Sequence, residues 1–166
     1  GLTDYVNPET VIDCSEKIVI PGLINTHTHS SMTLLRGISD NTKLQEWLES
    51  YIFPAEDKIE EVDAYLGSML ASVEMLESGT TTFNDMYFYM ENVADAVEDT
   101  GIRAVLSKGL TDIEDGADLY GAENLIRTYS HNERIEIGVA PHSVYTCSEE
   151  LLLDAKDLAD KHDTIY

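Results

Sequence analysis

Two histidines separated by one residue, His27 and His29, are the residues whose types and spacing most directly indicate chemistry. They follow a run of apolar and β-branched residues, and alternate side chains of a β-strand point to the same side. Both imidazoles are therefore expected on one face at the end of a strand. Imidazole nitrogen is a ligand for zinc and iron, so the pair is a candidate for two ligands of one divalent metal. The spacing alone is common, but the apolar strand before it and the polar loop after it favour this interpretation.

The element that must position the pair is a strand within an alternating series of strands and helices. Residues Lys17–Asn25 predict a buried strand interrupted at Pro21-Gly22. Apolar residues at i, i+3, i+4 and i+7 then predict a helix from Glu61 to Ser78, ended by Gly79. The remaining predicted elements are a strand at Thr80–Phe83, a helix with the apolar face Val93, Ala94 and Val97, a strand at Ile102–Leu106, a helix at Ala122–Tyr129, a strand at Ile135–Val139, a helix capped by Ser148, and the start of a strand at Thr164–Tyr166.

This alternation indicates an α/β fold with parallel strands and helical crossovers, either an open doubly wound sheet or a TIM-type (β/α)₈ barrel. A full barrel takes about 250 residues, so the sequence would hold about the first four βα units. Residues 1–16 are polar and turn-rich, with a strand-like stretch at Thr10–Ile12, and are predicted to be the remnant of an N-terminal β module. Residues 17–166 are predicted to be the N-terminal half of a barrel.

Charge and composition exclude several classes of partner. Asp and Glu number 32 against 10 Lys and Arg, which gives a net charge of −22 and argues against nucleic acid and anionic membranes as partners. The acids are spread along the chain, which favours an acidic solvated surface, compatible with high salt, over a dedicated cationic partner. No apolar run reaches 18 residues and no signal peptide is readable. The distant cysteines Cys14 and Cys147 form no CxxC pair, so reduced thiols and a cytoplasmic location are expected.

Four segments of the sequence together resemble one enzyme superfamily. They are VIPGLINTHTHSSMTLLRG, WLESYIFPAEDK, SGTTTFNDMY and APHSVYTCSEELL, and they run in order from about residue 17 to the end. The first segment resembles the metal-binding segment of the amidohydrolase superfamily. The combination is similar to the branch of 5-methylthioadenosine/S-adenosylhomocysteine deaminases, so residues 17–166 would be the first half of a metal-dependent amidohydrolase barrel.

The resemblance implies an activity for the full-length protein and roles for four residues. The activity is hydrolytic deamination of an adenosine-type nucleoside (5-methylthioadenosine, S-adenosylhomocysteine or 5′-deoxyadenosine) to the inosine-type product and ammonia. His27 and His29 match the first two ligands of a divalent metal, with zinc favoured and iron the other candidate. Glu56 matches the carboxylate that binds the ribose hydroxyls, and His142 matches a histidine that contacts the substrate. The other two histidines, at positions 131 and 162, match no family position and are expected on the surface.

The sequence departs from the family pattern in two ways. Where family members that accept S-adenosylhomocysteine carry arginines after the third strand, this sequence has Lys108, which favours a shorter 5′-substituent because lysine is a point charge and not a bidentate fork. The family's later metal ligands and its proton-transfer groups lie beyond Tyr166, so no catalytic residue is expected within this chain. A catalytic zinc takes three protein ligands plus water, and the chain alone is therefore expected to be inactive.

Two alternatives stay open at the level of sequence. One is a related chlorohydrolase or a guanine-deaminase-like amidohydrolase. The other is a half-barrel without catalytic activity that serves as an assembly module and pairs through its open sheet edges. The predicted partner is a small-molecule purine nucleoside, and a homo-oligomer stays open.

Overall fold

A computed structural model describes residues 8–112 and 116–166 of the chain. Its centre is a parallel sheet in which the order β1-β2-β3-β4 follows the order of the chain, and β5 continues beside β3. In a doubly wound sheet the order of the strands reverses at a switch point. The order of these strands does not reverse. The strands are β1 (Leu23–Thr28), β2 (Thr80–Tyr87), β3 (Arg103–Leu110), β4 (Ile135–Ile137) and β5 (Ala140–Pro141).

Helices connect the strands and cover the sheet. They are a 3₁₀-helix (Ser30–Leu35), α1 (Leu44–Trp47), a π-helix (Leu48–Ile52), α2 (Phe53–Glu56), α3 (Glu61–Glu77), α4 (Met90–Thr100), α5 (Leu119–Tyr129) and α6 (Glu149–His162). The predicted helix over residues 61–78 is confirmed, as is Ser148 as the cap of α6, whose hydroxyl accepts the amide of Leu151 at 3.1 Å. Within the two described ranges, no helix is both long and apolar enough to cross a membrane.

The apolar core lies between the sheet and the helices that follow its strands. Phe83 of β2 and Leu106 of β3 are fully buried, and they face an equally buried set from the helices that includes Val93, Val97 and Leu125. Burying a side chain of this size stabilises the fold by roughly 1.5–3 kcal/mol. The core therefore fixes the relative positions of β2 and β3, the strands that lie next to the predicted histidine strand.

The predicted strand at Lys17–Asn25 and the strand-like stretch at Thr10–Ile12 are wrong in part. No strand forms within residues 8–22, and β1 begins only at Leu23, whose amide donates to the carbonyl of Gly79 at 2.9 Å. The apolar Ile18 is 90% exposed, because in the described part of the chain no strand lies alongside this segment. The proposed β module over residues 1–16 stays a prediction, and residues 1–7 of it lie outside the described residues.

The last three residues lie beside β4. The amide of Val139 donates to the carbonyl of Ile165 at 2.8 Å, and the hydroxyl of Thr164 donates to the carbonyl of Ile137. No strand is assigned there, but these contacts agree with the predicted start of another strand at Thr164–Tyr166. Four strand-and-helix units, each adding to the same side of the sheet, precede this point.

Candidate metal and substrate site

The residues singled out by sequence lie along one edge of the sheet. Because the strands are parallel, their carboxyl ends meet at the same edge, and barrel enzymes place their sites there. His27 and His29 lie at the end of β1, Lys108 near the end of β3 and His142 directly after β5. The segment α2, which ends at Glu56, reaches the same edge through the end of β2.

The two histidine rings lie close together in an edge-to-face arrangement, in agreement with the prediction that both imidazoles share one face. Their centroids are 5.2 Å apart and their planes meet at 82°. His27 belongs to β1, and His29 follows the strand at the N-cap position of the 3₁₀-helix. The Nδ1 atom of His29 lies 2.7 Å from the carbonyl oxygen of Met86. A carbonyl only accepts, so Nδ1 carries the proton in this contact, and in the neutral ring Nε2 then has the lone pair that a metal needs.

The donor set fits a divalent metal but is incomplete. Two imidazoles suit zinc, and the hydrogen bond to Met86 is the kind of contact that fixes the orientation and tautomer of a metal-binding histidine. Across residues 8–112 and 116–166, no group of three or more His, Cys, Asp or Glu side chains is placed to hold a metal. A catalytic zinc site has three protein ligands and an open position. His27 and His29 could therefore supply two ligands, with the others from outside the described residues.

Glu56 is joined to the histidine edge through Tyr87. The phenol of Tyr87 donates to Oε1 of Glu56 at 2.6 Å, and the Tyr87 ring centroid lies 6.2 Å from that of His29. Burial raises the pKa of Tyr87 far above its ordinary value of 10, and the Glu56 hydrogen bond and the charges of Glu56 and Asp85 raise it further. The phenol therefore stays a donor at any working pH. It occupies only part of the Glu56 carboxylate, which can still accept hydroxyl donors.

Asp85, one residue before Met86, is the buried polar centre of this region. It is 1% exposed and accepts three hydrogen bonds. The donors are the Ser30 amide at 2.9 Å, the Ser30 hydroxyl at 2.6 Å and the Thr28 hydroxyl at 2.8 Å, whose single proton also has the carbonyl of Asn84 within reach at 2.9 Å. Residues on both sides of His29 are thus bound to one carboxylate of β2.

Small residues of α3 bring that helix against the 3₁₀-helix. The hydroxyls of Ser30 and Ser68 are 2.8 Å apart, and the hydroxyl of Ser31 donates to the carbonyl of Ala64 at 3.2 Å. A Cβ atom on Gly67 would lie 2.3 Å from the carbonyl oxygen of Ser31, so only glycine permits this approach. The main chain directly after His29 is therefore held from two sides, by β2 and by α3.

The side chains of His142 and Lys108 make hydrogen bonds only to nearby residues in the sequence. Nδ1 of His142 lies 2.9 Å from the hydroxyl of Thr146 in the same loop, and the His142 side chain is exposed. Lys108 forms an ion pair with Asp118, which lowers the pKa of that carboxyl below its usual range. The structure places both residues at the expected edge, and it links neither of them to the histidine pair through a hydrogen bond of the described residues.

Sequence reasoning missed Asp85 and Tyr87 and misplaced one histidine. An aspartate and a tyrosine inside the strand-like segment TTTFNDMY were a usable signal, because a charge in a buried strand needs partners. The expectation that His131 lies on the surface is confirmed. His162 is instead partly buried, because its Nε2 lies 2.9 Å from Oε1 of Glu123 on the neighbouring helix.

Comparison with known sequences defines the class of protein. The sequence profile of the amidohydrolase family matches residues 18–166, and the chain therefore belongs to the amidohydrolase family. It is 53% identical over 159 residues to the 5′-deoxyadenosine deaminase of Methanosphaera stadtmanae. That match covers 92% of this chain and 37% of the relative, so the chain spans little more than a third of the length of the relative.

Solved structures give the same assignment for the fold. The chain is similar to an adenosine deaminase from Xanthomonas campestris solved with bound zinc, with a TM-score of 0.82 and 34% identity over 87% of this chain and 34% of that one. It is also similar to the atrazine chlorohydrolase of Arthrobacter aurescens, with a TM-score of 0.76 and 22% identity over 86% of this chain and 39% of that one, a likeness that shows the fold alone. With the chain-ordered parallel sheet, these matches identify the fold as part of a TIM-type barrel.

Proposed function

We propose that the full-length protein containing this chain hydrolytically deaminates an adenosine-type nucleoside, with 5′-deoxyadenosine as the first candidate substrate. The observation that carries the proposal is the pair of adjacent imidazoles, His27 and His29, placed beside the Glu56–Tyr87 pair at the carboxyl ends of the strands. The 53% identical relative from Methanosphaera stadtmanae is named a 5′-deoxyadenosine deaminase, which supports the choice of substrate.

His27 and His29 would hold a divalent metal, with zinc favoured, together with ligands from outside the chain. The bound zinc in the similar adenosine deaminase structure supports this choice of metal. The chemistry that the metal supplies when bound is activation of a water molecule for attack on the purine carbon that carries the amino group. The part played by this chain is to hold two imidazoles with their lone pairs in place, and the Met86 carbonyl does so for His29.

Glu56 would bind the ribose. An ionised carboxylate has about four acceptor positions, and the two hydroxyls of a ribose can use two of them while Tyr87 uses another. Because Tyr87 fixes one oxygen of Glu56, the carboxylate would meet the sugar in a single orientation. His142 would contact the substrate from the loop after β5, on the side of β3 away from the histidine pair, with its ring oriented by Thr146.

Lys108 would stand near the 5′ end of the nucleoside and supports a substrate without an acidic 5′ group. Its ion pair with Asp118 compensates the lysine charge locally. A substrate carboxylate would have to displace Asp118 to use Lys108 fully, and it would gain no bidentate contact. We therefore propose 5′-deoxyadenosine and 5-methylthioadenosine as better substrates than S-adenosylhomocysteine. We also propose a cytoplasmic enzyme that acts on small purine nucleosides, and a truncated chain of residues 1–166 without activity of its own.

The test is ammonia release by the purified full-length protein with zinc, using adenosine-type nucleosides, guanine and a chlorotriazine as substrates. We expect turnover of 5′-deoxyadenosine, and loss of both turnover and bound zinc in His29→Ala. The matched control is His131→Ala, which removes an exposed histidine from another part of the chain. Turnover of the triazine or of guanine in the absence of nucleoside turnover would overturn the proposed substrate class. Zinc content unchanged in His29→Ala would overturn the proposed metal ligand.

A further inference from the structure

Asp85 is a buried carboxylate for which the proposed reaction has no use. It is 1% exposed, and among the ion pairs of the described residues none includes it. Burying an ionised carboxylate is costly unless donors surround it, so its presence in β2 requires a compensating role. The donors that surround it are the Thr28 hydroxyl, the Ser30 amide and the Ser30 hydroxyl, at 2.6–2.9 Å.

The position of these donors in the sequence connects Asp85 to the histidine pair. Thr28 lies between His27 and His29, and Ser30 follows His29 directly. The carbonyl of the next residue of β2, Met86, binds the His29 ring. Met86 therefore binds the ring of His29, and Asp85 binds the residues on both sides of it, Thr28 through its hydroxyl and Ser30 through its amide and hydroxyl.

The 3₁₀-helix that begins after His29 explains why an external acceptor is needed. The first amides of a helix have no partner within the helix and are usually satisfied by the side chain of the N-cap residue. His29 occupies the N-cap position and makes no side-chain capping bond, because its Nδ1 is bound to Met86. Asp85 instead accepts the amide of Ser30, the first residue of this helix. The His29 side chain is thereby left available, at the start of a helix that is still capped.

The same carboxylate is connected to α3. The Ser30 hydroxyl, which donates to Asp85, lies 2.8 Å from the hydroxyl of Ser68 in the interior of α3. Ser30 and Ser68 are both buried. A shift of Asp85 would therefore be transmitted to the turn that carries His29, and α3 limits how far that turn can move to compensate.

We propose that Asp85 is a positioning residue for the metal site, acting through Thr28 and Ser30 to fix the main chain that places His27 and His29. The inference rests on the proposed metal role of the two histidines. Asp85 touches no metal in this arrangement; it lowers the conformational freedom of the ligand-bearing turn before a metal binds. Groups that orient metal ligands in this way typically change metal affinity by about 10–100-fold when removed.

The test measures zinc affinity of the full-length protein by competition with a chromophoric chelator, and records the visible spectrum of the cobalt(II)-substituted protein. Asp85→Ala is expected to weaken zinc binding by about 10–100-fold and to alter the cobalt spectrum. Asp85→Asn keeps an acceptor for the Ser30 amide and is expected to retain most of the affinity. Conservative rescue of this kind separates positioning from a general requirement for a charge.

Two control variants separate positioning from stability. Asp112→Ala removes an aspartate that accepts from the amide and hydroxyl of Ser148, the same pair of bonds made elsewhere in the chain. Val93→Ala opens the core of α4 without touching the site. Both are expected to bind zinc like the wild type.

The outcomes distinguish this inference from the proposed function. Wild-type affinity in Asp85→Ala overturns the role of Asp85 alone, and so does an equal loss in Val93→Ala. A wild-type protein that binds no more zinc than His29→Ala overturns the metal site, and the role of Asp85 with it. A selective loss in Asp85→Ala supports the inference.

Discussion

Two aspartates make the same pair of hydrogen bonds to a serine in different surroundings. Asp85 accepts the amide and hydroxyl of Ser30 while it is almost fully buried. Asp112 accepts the amide and hydroxyl of Ser148, the cap of α6, close to solvent. The first pair lies at the β1–β2 end of the site edge, and the second at the β3–β5 end. The two ends of the site edge therefore differ in how far their polar contacts are shielded from solvent.

At the β1–β2 end, polar contacts join separate elements. Asp85 connects β2 to the turn after β1, and Tyr87 connects β2 to α2. At the β3–β5 end Asp112 also joins the end of β3 to the cap of α6, but the side chains of the functional residues bind only within a short stretch of chain, as His142 does with Thr146. We infer that the metal-binding end is preorganised by contacts between elements, whereas the orientations of His142 and Lys108 rest on single contacts with Thr146 and Asp118.

The largest expected effect comes from adding a methyl group at Gly67, which breaks the close approach of α3 to the metal-binding turn. Its Cβ would meet the carbonyl of Ser31 at 2.3 Å, and a main-chain atom cannot move away without moving the turn. We expect Gly67→Ala to lower the free energy of unfolding by about 1–3 kcal/mol, as overpacking usually does. Urea denaturation of the two proteins measures this difference.

The matched glycine control belongs to the β3–β5 end. A Cβ on Gly121 would meet the carboxylate of Asp118 at 2.2 Å, and that side chain can rotate away only by giving up its cap on the Gly121 amide, a loss of about 1 kcal/mol. Alanine favours a helix over glycine by about 0.8–1.0 kcal/mol, which offsets this loss. Gly121→Ala should therefore change the unfolding free energy by less than about 1 kcal/mol. Equal destabilisation by the two substitutions would contradict the contrast between the two ends.

The next effect tests the connection between Tyr87 and Glu56. Tyr87→Phe removes the donor at 2.6 Å, and a hydrogen bond to a charged group contributes about 1.5–3 kcal/mol. If Glu56 binds the ribose, KM for 5′-deoxyadenosine should rise at least about tenfold, while kcat changes less. The measurement is steady-state kinetics of the full-length protein.

Two controls accompany Tyr87→Phe. Tyr65→Phe removes a phenol that donates to Asp99 at 2.8 Å, an equivalent tyrosine–carboxylate pair on the outer helices, and should leave KM unchanged. With 2′,3′-dideoxyadenosine, which lacks both hydroxyls, the effect of Tyr87→Phe should largely disappear. A KM rise of the same size for both substrates would show that Tyr87 acts on something other than ribose binding.

The periodic elements and the histidine pair were predictable because local chemistry determines them. The spacing His27-x-His29 requires only that a strand have a period of two, and the helix at 61–78 requires only an apolar face. The strand predicted at Lys17–Asn25 forms only from Leu23 onwards, because no neighbouring strand in the described part of the chain lies beside residues 17–22. Strand formation needs a neighbouring strand, and a linear pattern does not say whether one is there.

The supporting residues were not predictable for the same reason. Asp85 and Ser30 are 55 positions apart in sequence, and nothing local to either one indicates that they bind each other. Glu56 could be selected only by resemblance, since it is one of 32 acidic residues. The residues that do chemistry are thus recognisable by type and spacing, whereas those that orient them are defined by the fold.

A smaller effect is expected from Thr146→Val, which removes the partner of the His142 ring. The Nδ1 atom of His142 lies 2.9 Å from the Thr146 hydroxyl, at an exposed position where water can replace the lost contact. A neutral hydrogen bond contributes about 0.5–1.5 kcal/mol, so kcat/KM should fall by about two- to tenfold. Ser39→Ala, which removes one of two partnered hydroxyls in another loop, is the control. A fall as large as that in Tyr87→Phe would mean that the β3–β5 end is as strongly preorganised as the other.

The smallest effect concerns the charges that join α5 to α6, the helices that follow β3 and β5. Glu123 of α5 accepts from Lys161 and His162 of α6 and from Arg127 of its own helix, and these contacts lower its pKa from 4.5 to about 2. A carboxyl whose pKa is lowered on folding stabilises the folded state above pH 4.5, and this contribution is lost as the pH falls towards 2.

Glu123→Gln should therefore lower the free energy of unfolding at pH 7, and the difference from the wild type should shrink from pH 4.5 downwards and vanish near pH 2. Urea denaturation across this range measures it, with Glu133→Gln as a control that removes the same charge from the exposed loop before β4. Because Arg127 and Lys161 are largely exposed, the difference should also shrink with added salt. A difference that persists unchanged at pH 2 would mean that Glu123 joins α5 to α6 by packing and not by charge. In that case the contribution of the α5–α6 contact to the free energy of unfolding would be independent of pH, as it is for the apolar core.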